Sequence, residues 1–122
     1  MVKKSLVYEK AFKFSIRMVK LFQYLQDKKE YVMSKQIVRS GTSIGANIKE
    51  ALYAQTKKDF AYKMNVALKE SAETEYWLEL LKETQYISDE MFNSVIEENR
   101  EILKMLASIV KTSKENIDYS QK

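Results

Sequence analysis

Apolar residues recur three and four positions apart in four long stretches of this chain, roughly residues 5–28, 34–56, 59–84 and 89–112, divided by short polar breaks. That spacing puts each set on one face of an α-helix. At about 1.5 Å per residue the helices would each run roughly 33–39 Å. Similar lengths with short connections favour an all-α fold, an antiparallel up-down-up-down four-helix bundle. The bundle is expected over residues 1–111, followed by a polar tail at 112–122.

In the first stretch Val7, Ala11, Phe14, Met18, Leu21 and Leu25 make one core stripe. Tyr8, Phe12, Ile16 and Val19 form a second apolar row, turned about 100° away at the helical step. One partner face cannot cover both, so the second row reads as a subunit interface or as an unusually wide core face. The third stretch reads inward through Phe60, Met64, Ala67, Leu68, Ser71, Glu75 and Leu78, with Asp59 as the candidate N-cap. It also carries Val66, Tyr76, Trp77, Leu80 and Leu81, so Trp77 and Leu81 join Tyr8, Phe12, Ile16 and Val19 as candidate interface residues. Glu75 on an apolar face needs a cation or an opening to water, and Arg39 is the partner favoured here. The fourth stretch follows a candidate N-cap at Ser88 and has a narrow stripe, Phe92, Val95, Asn99, Ile102, Leu103, Leu106 and Val110. Its opposite side, with Glu97, Arg100, Glu101 and Lys104, reads as solvated surface.

The second stretch holds the most distinctive string, Ser34 to Ala51, with an apolar seam at Ile37, Gly41, Ile44, Ile48 and Leu52. Ser40, Ser43, Gly45, Ala46 and Asn47 beside it are small enough to let another helix approach closely. A glycine in a helix costs roughly 1 kcal/mol relative to alanine, which close packing should offset. Gly41-Thr-Ser-Ile-Gly45 lacks the spacing and the following lysine of a phosphate-binding loop.

Composition removes most chemistry. With 0 Cys and 0 His there is no disulfide, no thiolate or imidazole metal ligand, and no imidazole to activate Ser40 or Ser43. The pairs Glu70/Glu73 and Glu79/Glu83 have helical spacing but no histidine to complete a bundle metal site. No enzyme, cofactor or metal is expected. Glu9 and Lys10 interrupt any secretory core and no stretch approaches a membrane span, so a soluble, cytoplasmic protein without a membrane partner is expected.

Charge is distributed unevenly. The net charge is +4, but residues 1–58 carry 13 basic and 4 acidic side chains, a balance of +9, while residues 59–122 carry 8 and 13, a balance of −5. Lys10, Lys13, Arg17 and Lys20 fall on one strip of the first helix, continued by Lys3. Such a strip suits RNA or DNA phosphates, or the acidic second half of the same or a neighbouring subunit. The aromatic residues, 11% of the chain, lie on apolar rows, so nucleic-acid contacts would be to backbone rather than bases.

The string Gln36-Ile-Val-Arg-Ser-Gly-Thr-Ser-Ile-Gly-Ala-Asn-Ile-Lys-Glu50, followed by Phe60, Ala67, Leu68, Glu70-Ser-Ala-Glu-Thr and Tyr76-Trp-Leu, resembles the four-helix bundle proteins named for 23S rRNA intervening sequences. Arg39-Ser40, Ser43-Ile44, Ala46-Asn47-Ile48 and Glu50 are its most specific part; Ala51 stands where many members have glycine. The resemblance implies a barrel-shaped homopentamer. It also implies a more distant kinship with the accessory variability determinant of diversity-generating retroelements, whose basic surface is associated with nucleic acid and a reverse transcriptase partner. The family name records where some genes lie, and does not make the protein ribosomal.

Two functions are therefore expected to compete. One is a non-enzymatic homo-oligomer binding nucleic-acid backbone through Lys10, Lys13, Arg17 and Lys20, with Arg39, Asn47, Glu50 and Glu75 as structural polar residues. The other is a protein-interaction scaffold with no nucleic-acid site.

Overall fold

The computed structural model describes residues 5–117, all of its regular structure helical: α1 (Leu6–Asp27), α2 (Met33–Ala51), α3 (Lys57–Glu83) and α4 (Asp89–Glu115). Lys3 and residues 118–122 lie outside the described residues. α2 ends at Ala51, earlier than the pattern predicted, and α4 continues into residues 112–115 of the expected tail.

Side chains fix where three of the helices begin. Ser5, Thr56 and Ser88 each accept a backbone N–H three residues on, from Tyr8, Asp59 and Met91, at 3.0 to 3.1 Å. Thr56, and not Asp59, therefore caps α3; Asp59 sits inside the first turn, where its charge favours the helix N-terminus. α2 starts differently. Its N-cap residue Val32 offers no side-chain bond. Instead the buried Glu30 reaches forward to accept from Val32 and Met33 at 3.1 and 3.0 Å, and from Ser34 at 2.7 Å.

α1 and α3 end alike. Lys29 and Gln85 take the left-handed conformation, φ 63° and 67°. The next amides, of Glu30 and Tyr86, then return to the carbonyls of Leu25 and Leu81 at 2.9 Å. This is the closure that usually uses glycine. Both glycines of the chain lie instead within α2, against α1. A Cβ on Gly41 would lie 2.4 Å from Met18 Cγ, and one on Gly45 would lie 3.3 Å from Ser15 Oγ. The two glycines of the distinctive string thus serve a close helix approach, as the sequence suggested, whereas Ala46 is exposed and Ser43 and Asn47 bond within their own helix.

α2 lies beside α1 and α3, and α3 beside α4; α1 and α4 approach closely at the fewest positions, and α1 and α3 face each other only across the core. The core unites all four helices. The six stripe residues of α1, Val7 to Leu25, are all buried, as are Ile37, Gly41, Ile44 and Ile48.

The buried face of α3 departs from the predicted one. It reads Ala61, Met64, Ala67, Ser71, Thr74, Leu78 and Leu81. Phe60, Leu68 and Glu75 are only half-buried. The helix turns its small and hydroxylated residues inward because they answer polar groups opposite. Ser71 Oγ donates to Asn99 Oδ1 at 2.9 Å, Asn99 Nδ2 donates to the Ser71 carbonyl at 3.0 Å, and Thr74 Oγ1 donates to Ser40 Oγ at 2.9 Å. All four residues are fully buried, and every buried side-chain polar atom among the described residues has a partner.

Candidate functional site

The second row of α1 stays uncovered. Phe12, Ile16 and Val19 are 54%, 43% and 42% exposed, although the core stripe of the same helix is complete. Tyr8, at the start of the row, is half-buried against the core, with Lys49 Nζ of α2 5.0 Å from its ring centroid. Of the two interface candidates on α3, Leu81 is fully buried and belongs to the core. Trp77 is half-buried and donates from Nε1 to Glu73 at 2.9 Å.

The basic strip borders α4. Lys10 pairs with Glu101, and Arg17 pairs with Glu98 at 3.0 Å while donating to Ser94 Oγ at 3.1 Å. Lys13 and Lys20 are exposed and make no ion pair among the described residues. Half of the strip is thus answered by carboxylates of its own chain. The side of α4 read as solvated surface is in part an ion-paired seam. Lys10 and Arg17 stand seven positions apart and Glu98 and Glu101 only three, so no matched spacing marks the pairs, and sequence does not reveal which helix lies beside α1.

Two cavities follow this seam. One, about 310 Å³, is lined by Arg17, Lys20, Leu21, Tyr24, Met91 and Val95. The other, about 150 Å³, includes Lys10, Lys13, Phe14, Glu98 and Glu101. Neither gathers a nucleophile and base, and among the described residues no group of His, Cys, Asp or Glu could hold a metal ion. No helix of the described residues is long and apolar enough to cross a membrane.

Of the structural polar residues, Arg39 and Glu50 bridge α2 to α3. Arg39 binds Glu73 and, at 3.4 Å, Glu70, and it also donates to Gln36. The expected Arg39–Glu75 pair does not form: Glu75 points to the other flank of α3, where Arg100 of α4 lies 3.4 Å away. Two and five positions before Glu75, Glu73 and Glu70 sit on the flank facing α2. Asn47 donates to the Ser43 carbonyl at 2.8 Å, staying within its helix. Glu50 holds Lys63 at 2.7 Å, and that hydrogen bond, then its charge, raises the ammonium pKa above its ordinary value.

Comparison with known proteins agrees with this geometry. A family model described as 23S rRNA-intervening sequence protein matches residues 3–108. The chain is similar to a crystal structure of a protein with unknown function from the S23 ribosomal protein family of Bacteroides thetaiotaomicron VPI-5482. The two are 54% identical over 87% of this chain and 99% of that one, with a TM-score of 0.85. No curated protein matches the chain.

Proposed function

The chain belongs to the 23S rRNA-intervening sequence protein family, and from that premise we propose that it is a non-enzymatic scaffold whose copies self-associate through the outward apolar row of α1. One observation carries this: α1 fills its core stripe and still turns Phe12, Ile16 and Val19 toward solvent on a single strip. Contiguous apolar surface of that kind marks contact sites in water-facing proteins. The antiparallel up-down-up-down order has support in the cross-helix pairs. Lys10–Glu101 and Arg17–Glu98, like Arg39–Glu73 and Glu50–Lys63, run in opposite senses along their helices. A closed homopentamer, as the resemblance implies, working in the cytoplasm, is the assembly this reading expects. A reverse transcriptase or another protein would be its client.

Replacing Phe12 and Ile16 together by serine is expected to weaken association at least about tenfold while leaving helix content unchanged, because neither side chain is in the core. Sedimentation and circular dichroism read the two effects. A wild-type chain that sediments as a 14.4 kDa monomer at all concentrations defeats the proposal.

Nucleic-acid backbone binding is the second reading, favoured by the exposed Lys13 and Lys20, which make no ion pair among the described residues. Glu98 and Glu101 weigh against it, since they occupy Lys10 and Arg17 and would repel phosphate. If it holds, gel-shift affinity falls steeply with salt, by about 0.9 of a log unit per log unit of salt for each phosphate contacted on duplex DNA. Lys13→Gln with Lys20→Gln should then remove most of the binding. Absent or salt-insensitive binding leaves the scaffold alone.

A further inference from the structure

We infer that the furrow between α1 and α4 is the docking place for an amphipathic helix of a partner protein, one whose large apolar residues recur every seventh position between an acidic and a basic flank. The furrow gives the scaffold proposed above a place to hold a client, and it does not require copies of the chain to associate.

The two cavities on this seam lie one heptad apart on both helices. Phe14 and Ile102 line the smaller, Leu21 and Val95 the larger, and each step is seven positions, about 10 Å along the axis. Leu21 and Val95 are each 7% exposed, so the larger cavity, about 310 Å³, opens onto side chains of the core itself. Large side chains seven apart on a third helix would enter both hollows, as knobs enter holes in a coiled coil.

The lips of the furrow carry opposite charge. On α1, Lys13 lines the smaller cavity and Lys20 the larger; both are exposed, seven positions apart, and make no ion pair among the described residues. On α4, Glu90 and Glu97 share the outer strip of Ser94 and Glu101, at steps of four and three, and Ser94 and Glu101 meet Arg17 and Lys10 of α1. Glu90 and Glu97 are likewise exposed, seven apart and without an ion pair among the described residues. Charges of the other sign stand only at the ends of the lips: Glu9 a turn before Lys13, Asp27 two turns beyond Lys20, and Lys104 a turn beyond Glu101. Between those ends Lys10 and Arg17 are held by Glu101 and Glu98, which leaves Lys13 and Lys20 on one side, and Glu90 and Glu97 on the other, to meet something outside the chain.

This pattern selects the occupant. A nucleic-acid strand brings phosphate to both lips, so the glutamates repel it, and phosphate gains nothing from an apolar floor. A single-tailed amphiphile fills one hollow and answers one lip. A helix with carboxylates toward α1 and cations toward α4 fills both hollows and answers both lips, in the way that flanking charges choose partners in coiled coils.

The probe is a fluorescent synthetic peptide of about two heptads, held helical by a lactam bridge on its outer side. It carries leucines seven apart, glutamates along one flank and lysines along the other. Anisotropy with the full-length chain should show saturable binding, and changing its leucines to alanine should weaken that binding at least about tenfold. Lys13→Glu with Lys20→Glu in the protein should weaken it about tenfold or more, and a peptide with lysines on both flanks should bind that variant as tightly as the original pair. No saturable binding, indifference to the leucines, or failure of the reversed charges to restore binding overturns the inference. A peptide with glutamates on both flanks that binds more tightly than the mixed one, and is displaced by duplex DNA, also overturns it, by marking a general polyanion site. The peptide changes are read on the unaltered protein, so they decide the matter even if the lysine variant unfolds. Sedimentation separates the two proposals: a monomeric wild-type chain that binds the probe removes self-association and leaves the docking place, and an assembled chain that does not bind it does the reverse.

Discussion

Replacing Glu30 by alanine is expected to lower stability by about 2–4 kcal/mol, seen as a lower urea midpoint with an unchanged slope. One carboxylate, 7% exposed, accepts three of the N–H groups that begin α2. Val32 contributes no side-chain cap, and no other side chain among the described residues takes these bonds. Water can reach Val32 after the truncation, but Ser34 is fully buried and its amide would be left bare. Ser34 also receives Gln26 Nε2 on its hydroxyl at 3.0 Å, so the loss would loosen the end of α1 as well. Glu30→Gln keeps one acceptor oxygen and should cost roughly half as much. A change below about 0.5 kcal/mol for alanine would show that solvent replaces the carboxylate fully.

A larger loss, about 3–5 kcal/mol at neutral pH, is expected for Asn99→Asp. The wild-type amide donates to the Ser71 carbonyl and accepts from the Ser71 hydroxyl, with no exposure to water. An aspartate there turns a donor into a second acceptor and places a charge against a carbonyl oxygen. Burial and that oxygen both favour the protonated acid, so its pKa in the folded chain lies above the unfolded value of about 3.9. The penalty is then present above the unfolded pKa and fades as pH falls toward it. Thermal midpoints of variant and wild type should draw together between pH 7 and about pH 4. A gap that stays constant with pH would mean that the charge is not what destabilises the variant.

Most of the fold was readable wherever size and hydrophobicity point the same way. The predicted stripe of α1 is its buried face residue for residue, and α4 differs only in burying Ile96 and leaving Leu103 half-exposed. α3 was harder because its largest apolar residues are not its core. Ser71 and Thr74 go inward to meet Asn99 and Ser40, while Tyr62 and Tyr76 stay outside. A reading that ranks residues by apolarity turns the helix the wrong way, taking Leu81 outward and Glu75 inward. The ion pairs were beyond sequence for a related reason: spacing shows which charges share a strip, but not which strip faces it. Glu30 left no pattern at all, since one carboxylate in a short connection reads as solvent-facing until its three amides are seen. The α1 row, by contrast, was visible from periodicity alone, because it exceeds what one core needs.

The scant meeting of α1 with α4 sets where this molecule comes apart first. The other three neighbouring pairs of helices approach closely along much of their length, whereas α1 and α4 do so at far fewer positions and are bridged there by half-exposed ion pairs that dissolved electrolyte screens. Parting the terminal helices there gives up the fewest close approaches, so amide hydrogen exchange is expected to report opening along that line ahead of global unfolding.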